Sequence, residues 1–414
     1  MNLFLTTIVL AFRNLLRNRG RTLSTLSAIG VGLLGLILLD GFITYSVDHF
    51  RDSIIRNGTG HVEVFRSQQS RDQGDSNPIP YVFDNTQALA QQLRGMPQVD
   101  DVMPVLSFTA VVTDGDKNHS VQVTAAPVDQ ALRNLTKRTI ASGSDLTPSE
   151  SGEVLLGTGL AKMLKAQAGS TIKLFALSKG GGVNTENFTV AGISSAELKD
   201  IDDHSVAMSL ADAKSLLDVQ DVAKLVVFLK STEATDSFLQ RLATVPQGSP
   251  LSGLTYAGWD KLFTAFEYAN SSFQLMRAVA RLVVLIVALF SISGTLTLSV
   301  VERYREIGTL RAFGTRRLHL LLLLVFEGLI LGTIGTFFGS GVGMAVTWAI
   351  NSLGGVTLAA QPQMSVETMK VLFTPQAGVL WQNALALLIA SIIAALLPGT
   401  MSFRRTIAEL LKSH

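Results

Sequence analysis

Hydrophobic residues in this chain gather into four long runs, and elsewhere they alternate or recur at helical spacing. The runs are Leu23 to Ile43, Ala278 to Val301, Leu318 to Ile350 and Ala377 to Leu397. Each meets the roughly 20 apolar residues that a helix needs to cross a hydrocarbon core about 30 Å thick. The first is too long for an apolar signal core, and no A-x-A-like site follows Ile43, so it reads as a retained span. Ahead of it, Leu5, Ile8, Phe12, Leu15 and Leu16 share a helical face with arginines towards the end. That spacing predicts an amphipathic helix along a membrane surface.

The stretch between the first two runs follows a different pattern. Strand signals fall at 60–66, 105–113, 119–125, 171–177, 187–193 and 224–229. Helical spacing falls at 85–94, opening at the cap residue Asn85, and at 158–166 and 209–217. The mixture predicts an α+β body with a β-rich insertion near 140–215. Residues 67–80 and 178–186 are polar and rich in turn formers, and read as loops. Val47, Phe50 and Ile54 continue the helical spacing of the first run. Leu262, Phe266, Ala269, Phe273 and Met276 recur at steps of four and three before the second, a coiled-coil-like seam. These flanks predict a helical stalk.

The expected fold is therefore an α-helical membrane protein with four transmembrane helices, plus a large extracytoplasmic α+β domain on a helical stalk between the first and second spans. In order, the segments are an amphipathic inner-surface helix (1–20), a first transmembrane helix (21–45), the extracytoplasmic domain with stalk ends (46–275), and a second transmembrane helix (276–301). A cytoplasmic segment (302–317), a third helix (318–350), an external loop (351–376), a fourth helix (377–398) and a cytoplasmic tail (399–414) follow.

Charge supplies the orientation. Arg13, Arg17, Arg19 and Arg21 precede the first span, five arginines face Glu302 and Glu306 within 302–317, and Arg404, Arg405 and Lys412 follow the fourth. Positive charge marks the cytoplasmic side, which places both termini inside. Residues 46–275 hold 19 Lys+Arg against 26 Asp+Glu, whereas the whole chain is +2, so two compartments of opposite sign are hidden in a near-neutral total. The basic rim suits anionic headgroups or an acidic partner surface. No aromatic-interleaved basic patch appears, which argues against nucleic acid.

Catalytic signatures are missing from the sequence. It contains no cysteine, no G-x-x-x-x-G-K-[ST], no G-x-S-x-G and no H-E-x-x-H. Gly157-Thr158-Gly159 lacks the third glycine of a dinucleotide fingerprint. Asp200, Asp202, Asp203 and His204 form the one tight cluster of potential ligands, and read as a solvated turn before a strand. No catalytic residue and no metal site is expected. Asp40 and Glu327 lie in or near apolar spans, where an ionisable group is expensive; Asp40 is near enough to its span's outer end to reach water. Gly328, Gly332, Gly335, Gly339 and Gly343 mark the third span as a packing seam, since G-x-x-x-G steps let helix backbones approach closely.

The sharpest feature is residues 302–314, a charged helical end that runs into two glycines and a short turn. Here the sequence resembles the FtsX-like permease family, which includes the MacB and LolC/LolE transporter subunits. The family pattern E-R-x-R-E-I-G-x-L-R-A-x-G is matched at every specified position, and Glu327-Gly328 resembles an E-G that follows. Gly60-His61-Val62-Glu63-Val64, Met96-Pro97-Gln98-Val99 and Ser209-Leu210-Ala211-Asp212-Ala213 resemble the lipoprotein-releasing branch. Pro398-Gly399-Thr400-Met401-Ser402 and Ala408-Glu409-Leu410 depart from the family's C-terminal pattern.

The resemblance implies a bacterial inner-membrane half-transporter that is not itself the enzyme. Two copies of a separate ATP-binding subunit would carry ATP and Mg, a second permease copy or paralogue would complete the pair, and this chain would bind no cofactor. Glu302, Arg303, Arg305, Glu306, Gly308, Leu310, Arg311 and Gly314 would couple to the ATPase. The expected cargo is a lipoprotein or similar lipid-anchored molecule, contacted by Phe42, Leu262, Phe266 and Phe273 and passed to a periplasmic carrier. Export of peptides or small molecules with an adaptor, or regulation of a periplasmic hydrolase, are the alternatives.

Overall fold

The computed structural model describes residues 3–113, 118–129, 139–148, 152–196, 199–359 and 368–404. Along the chain come α1 (Leu3–Arg17), α2 (Arg19–Ile54), β1 (Val62–Phe65), α3 (Gln68–Gln73), α4 (Thr86–Arg94), β2 (Val99–Thr113), β3 (Asn118–Ala126), β4 (Thr139–Gly143) and β5 (Glu153–Gly157). Then follow α5 (Thr158–Leu164), β6 (Thr171–Leu177), β7 (Val183–Ser195), α6 (Lys199–Asp202), β8 (Ser205–Ser209), α7 (Leu210–Leu217), β9 (Lys224–Leu229), α8 (Thr235–Ala243), β10 (Thr255–Gly258) and α9 (Trp259–Leu262). The remaining elements are α10 (Thr264–Glu302), α11 (Tyr304–Ala312), α12 (Arg317–Ser352), β11 (Val356–Ala359), β12 (Thr368–Val371) and α13 (Ala377–Arg404). They form two units, one helical and one built around a sheet.

In the helical unit, α2, α10, α12 and α13 are long and apolar enough to cross a membrane. At 39 residues α10 rises about 58 Å, well beyond a hydrocarbon core. The glycine face of α12 packs on two neighbours within the chain. A Cβ at Gly328 would stand 2.8 Å from the Ser391 carbonyl oxygen, and one at Gly332 would stand 2.7 Å from Ser391 Oγ, both on α13. Gly335, Gly339 and Gly343 face Ile29, Gly30 with Leu33, and Ile37 of α2. Helix α1 buries Ala11 and Leu15 while leaving Leu10, Phe12 and Leu16 exposed, so it packs on the unit through one side only.

Asp40 does not reach water. It is 1% exposed, lies 2.9 Å from Arg277 Nε and accepts from Asn383 Nδ2 at 3.0 Å. An apolar span offers a carboxylate no solvation, and this one is answered by groups from α10 and α13 instead. The link read as an external loop contains the paired strands β11 and β12, with residues 360–367 outside the described set. Of the predicted tail, Arg405 and Lys412 also lie outside it.

The second unit turns on the long strand β2. Its first half pairs with β9, and its second half pairs with β3 and, at Val111–Thr113, with β6. Strands β10, β1, β9 and the first half of β2 lie side by side. Both β1 and β2 run antiparallel to the β9 between them, and α4 connects them as a split βαβ; α8 does the same for β9 and β10. The second half of β2 closes a ring through β3, β8, β5, β7 and β6, which leaves those six strands without a free edge. The β-rich insertion is thus real, but it begins at residue 106 inside a strand.

Strand β9 is apolar at nearly every position because both of its faces are covered. Leu225, Val227 and Leu229 join the main core with Leu93, Phe108 and Phe238, while Val226 and Phe228 pack with Met103 and Val105 on the other side. Gly60 precedes β1 at φ +58°, and a Cβ there would stand 2.4 Å from Val226 Cγ1. His61 follows. Its Nδ1 accepts from the Leu229 N–H at 3.0 Å and its Nε2 lies 3.2 Å from Thr232 Oγ1. Burial, aided by the nearby Arg56, pushes its pKa down to about 4.

Two segments read as loops are built otherwise. Within 67–80, Ser67 caps α3, and Asp75 lies 2.8 Å from Lys224 Nζ, which also pairs at 3.2 Å with the buried Glu63. A six-residue polar helix has no hydrophobic period to announce it. Within 178–186, the turn ends by Gly182 and β7 begins at Val183. The Asp200–His204 cluster spans the one-turn helix α6 and the turn after it, and is not wholly solvated. Asp202 is buried and accepts from Ser195 Oγ (2.9 Å), Ala196 N–H (2.7 Å) and Thr158 Oγ1 (3.1 Å).

Two measurements check these packing arguments. Gly339→Leu forces a side chain against the Gly30 backbone and should cost about 1–3 kcal/mol in detergent thermal melts. Gly341→Leu, with nothing within 4 Å, should be near neutral. His61 is neutral when folded and protonates more readily unfolded, so its stabilisation is complete above about pH 6.5 and is lost as pH falls towards about 4. His61→Asn keeps an acceptor for Leu229 without titrating, and should flatten the acid limb of a stability–pH curve by on the order of 2 kcal/mol.

Candidate functional site

Helix α11 sits in an apolar seat. Ile307 is buried with Val300, Leu320 and Leu324, Tyr304 packs beside them, and Gly308 is buried too. The helix stops at Gly314, whose φ of +87° suits a residue without Cβ. The Gly314 N–H donates to Arg311 O at 3.1 Å and the Thr315 N–H to Leu310 O at 3.0 Å, the paired bonds of a Schellman motif. Other positions are open to solvent: Phe313 is 89% exposed, Leu310 is 44% exposed, and Arg305 is exposed as well.

The charged residues of the segment reach back to the N-terminal residues. Glu302, at the end of α10, pairs with Arg21 and accepts from Asn18 Nδ2 at 3.1 Å. Arg303 fills the one-residue break between α10 and α11. Its Nε lies 3.1 Å from Glu306 Oε2 and its Nη1 3.2 Å from Glu327 Oε1. Arg17 Nη1 also reaches Glu306, at 3.2 Å. These contacts, the Arg303 hydrogen bond first, hold the Glu306 carboxyl below the usual carboxylate range. Glu327 Oε1 also accepts from Asn14 Nδ2 at 2.6 Å.

Burial separates these contacts in importance. The pairs of Arg17 and Arg21 are open to solvent, and such pairs are screened and contribute little. Glu327 is 1% exposed. Stripping a buried charge of its partner costs about 3–5 kcal/mol, so the Arg303–Glu327 contact dominates the cluster. The sequence does not mark Asn14, Arg17, Asn18 and Arg21 as partners of these carboxylates. Their positive charge marks Arg17 and Arg21 as an orientation signal, and no local pattern marks Asn14 and Asn18. Phe313 occupies an unspecified position of the family pattern, where nothing marks it.

The residues expected to contact cargo do not form one helical face. Leu262 ends α9, and Phe263 (φ −115°, ψ 80°) breaks the helix before α10 begins. Phe266 is a buried anchor, its ring 4.7 Å from Trp259 and 5.8 Å from Phe50 by centroid. Phe42 on α2 and Phe273 on α10 are each half-buried. The period was right for a helix, but a single non-helical residue ends the seam. Among the described residues no group of three or more His, Asp or Glu side chains is placed to hold a metal ion.

Two family models match the chain. The FtsX-like permease C-terminal model covers residues 278–408, and the MacB-like periplasmic core domain covers residues 22–245, more than half of the chain. The chain belongs to the FtsX-like family of ABC transporter permeases. With its four apolar helices, this makes it an inner-membrane protein with a periplasmic domain. The permease is 25% identical over 412 residues to the lipoprotein-releasing system transmembrane protein LolE of Haemophilus influenzae, covering 94% of each chain. It is 25% identical over 392 residues to the macrolide export ATP-binding/permease protein MacB of Nitrobacter winogradskyi, covering 88% of this chain and 56% of that one. A crystal structure of the periplasmic region of MacB from Actinobacillus actinomycetemcomitans matches 51% of this chain and 95% of that one, at 15% identity and a TM-score of 0.35.

The dominance of Glu327 has a measurable consequence. Arg303→Met should lower stability in detergent by about 3 kcal/mol, because a buried carboxylate loses its countercharge. Arg303→Met with Glu327→Gln should recover most of that loss, since the amide keeps Asn14 and carries no charge. Equal melting temperatures for the single and double variants would count against this account.

Proposed function

We propose that the permease couples ATP hydrolysis on a separate subunit to motion of its periplasmic domain, and so extracts lipid-anchored proteins from the inner membrane. The observation that carries the reading is the match to a lipoprotein-releasing subunit over 94% of both chains, in a sequence with no nucleotide-binding motif. By contrast, the relative whose name includes ATP binding is matched over 56% of its length. Positive charge at the span ends supports cytoplasmic termini and a cytoplasmic α11. In this arrangement α11 docks on an ATP-binding subunit through Leu310, Phe313 and the exposed Arg305, while ATP and Mg stay on that subunit. Two such subunits and a second permease complete the transporter. Helices α2 and α10 each carry the chain from one unit into the other without a break before Ile54 and after Thr264, which suits them to transmit a stroke as a stalk.

The match to a MacB-like periplasmic core supports export through an adaptor as a second reading. The test uses proteoliposomes holding the permease with whatever ATP-binding subunit co-purifies, and a fluorescent triacylated lipopeptide as probe. ATP-dependent release into a soluble acceptor supports extraction; hydrolysis without release, with an adaptor in the preparation, supports export. Phe313→Asp should cut recovery of the ATP-binding subunit about tenfold or more, as loss of an exposed aromatic anchor does. Full recovery in that variant would remove α11 as the docking element.

A further inference from the structure

We infer that Glu327 is a positioning residue that fastens α1 to α11, making the N-terminal helix and the coupling helix one rigid lever. The contacts form a pattern. Asn14, Arg17, Asn18 and Arg21 recur at helical spacing through the α1–α2 junction, and they meet Glu327, Glu306 and Glu302 in reverse chain order. Arg303 bridges two of these carboxylates. The junction is itself held, since Thr22 Oγ1 donates to the Leu15 carbonyl at 2.8 Å and the Thr22 N–H to Asn18 O at 3.1 Å. Three of the cross-links are exposed, and solvent weakens them. Of these cross-links only Asn14–Glu327–Arg303 is shielded, since Glu327 is itself buried.

The consequence concerns how a stroke spreads. A force on α11 pulls Arg303, Arg303 holds Glu327, and Glu327 holds Asn14, so α1 cannot stay behind. With its exposed Val9, Leu10, Phe12 and Leu16, α1 then drags an apolar surface along the inner leaflet whenever α11 moves. That second lever acts on the start of α2, which leads towards the periplasmic unit. The fastening stands on the contacts alone; its role in transport rests on the function proposed above.

The test exploits the absence of cysteine. Spin labels at Val9→Cys and Thr309→Cys report the α1–α11 distance by pulsed electron paramagnetic resonance in the full chain. The parent should give one narrow distribution. Asn14→Asp sets two carboxylates against each other and should broaden or shift it, and Asn14→Ala should broaden it with no new charge. Asn14→Asp with Glu327→Gln exchanges amide and carboxylate at unchanged size, keeps the hydrogen bond, and should restore the narrow peak. A broad parent distribution, no response to Asn14→Ala, or no restoration in the exchanged pair would overturn the fastening.

In the reconstituted complex, lipopeptide released per ATP hydrolysed should fall about tenfold in Asn14→Asp and return to within about twofold in the exchanged pair. A merely structural defect would lower release and hydrolysis together. A narrow, Asn14-dependent distance in a chain that captures no ATP-binding subunit supports the fastening and overturns the transporter reading. ATP-driven release indifferent to Asn14 overturns the lever and leaves the transporter reading intact.

Discussion

Two carboxylates in apolar surroundings organise the helical unit, and arginines from a single helical run answer both. Asp40 is met by Arg277, about a third of the way along α10, and Glu327 by Arg303 just past that helix's C-terminal end. At about 1.5 Å per residue the two arginines stand roughly 39 Å apart along that run. A buried carboxylate without its partner is a large penalty, whereas a paired one is close to neutral beside an apolar substitute. The pairs therefore add little net stability, but they sharply penalise any rearrangement that separates them. They set the register of α10 against α2 at Arg277 and against α12 at its C-terminal end.

Between these two pairs the helices are held by shape. No hydrophobic effect drives one apolar helix onto another in lipid, so close backbone approach is what remains. The glycines of α12 supply it on two sides, towards α13 at Gly328 and Gly332 and towards α2 at Gly335, Gly339 and Gly343. A helix clamped along its length and pinned at Glu327 is suited to pass on displacement without bending. The segment proposed to dock on the ATP-binding subunit, α11, is by contrast lightly seated, on Ile307 and Tyr304, and shows Phe313 to solvent.

The periplasmic-type unit was legible to different depths. Strands β6 and β9 appeared in the sequence with their observed limits, because β6 alternates across a half-buried sheet and β9 is apolar throughout. Strand β10 has four residues, β4 is almost wholly exposed, and β5 and β8 are short segments whose burial comes from the ring they close. None of them carries a period long enough to read. Nor does any pattern announce that β2 serves two sheets, since an unbroken strand looks the same whichever partners it finds.

By itself, the sequence determined the number of apolar helices, the division into a helical and an α+β part, and the family, because length, period and the 302–314 motif are local properties of the chain. It also placed charge at the span ends. Only the tertiary structure decided what meets that charge: that Glu327 is shared by Asn14 and Arg303, that Asp40 is enclosed, that Phe266 is a buried anchor, and that the glycine seam faces α2 and α13. The reason is physical. Those pairings join residues as much as 343 positions apart, and no local period records which distant side chain will neutralise a buried charge or fill the space beside a glycine.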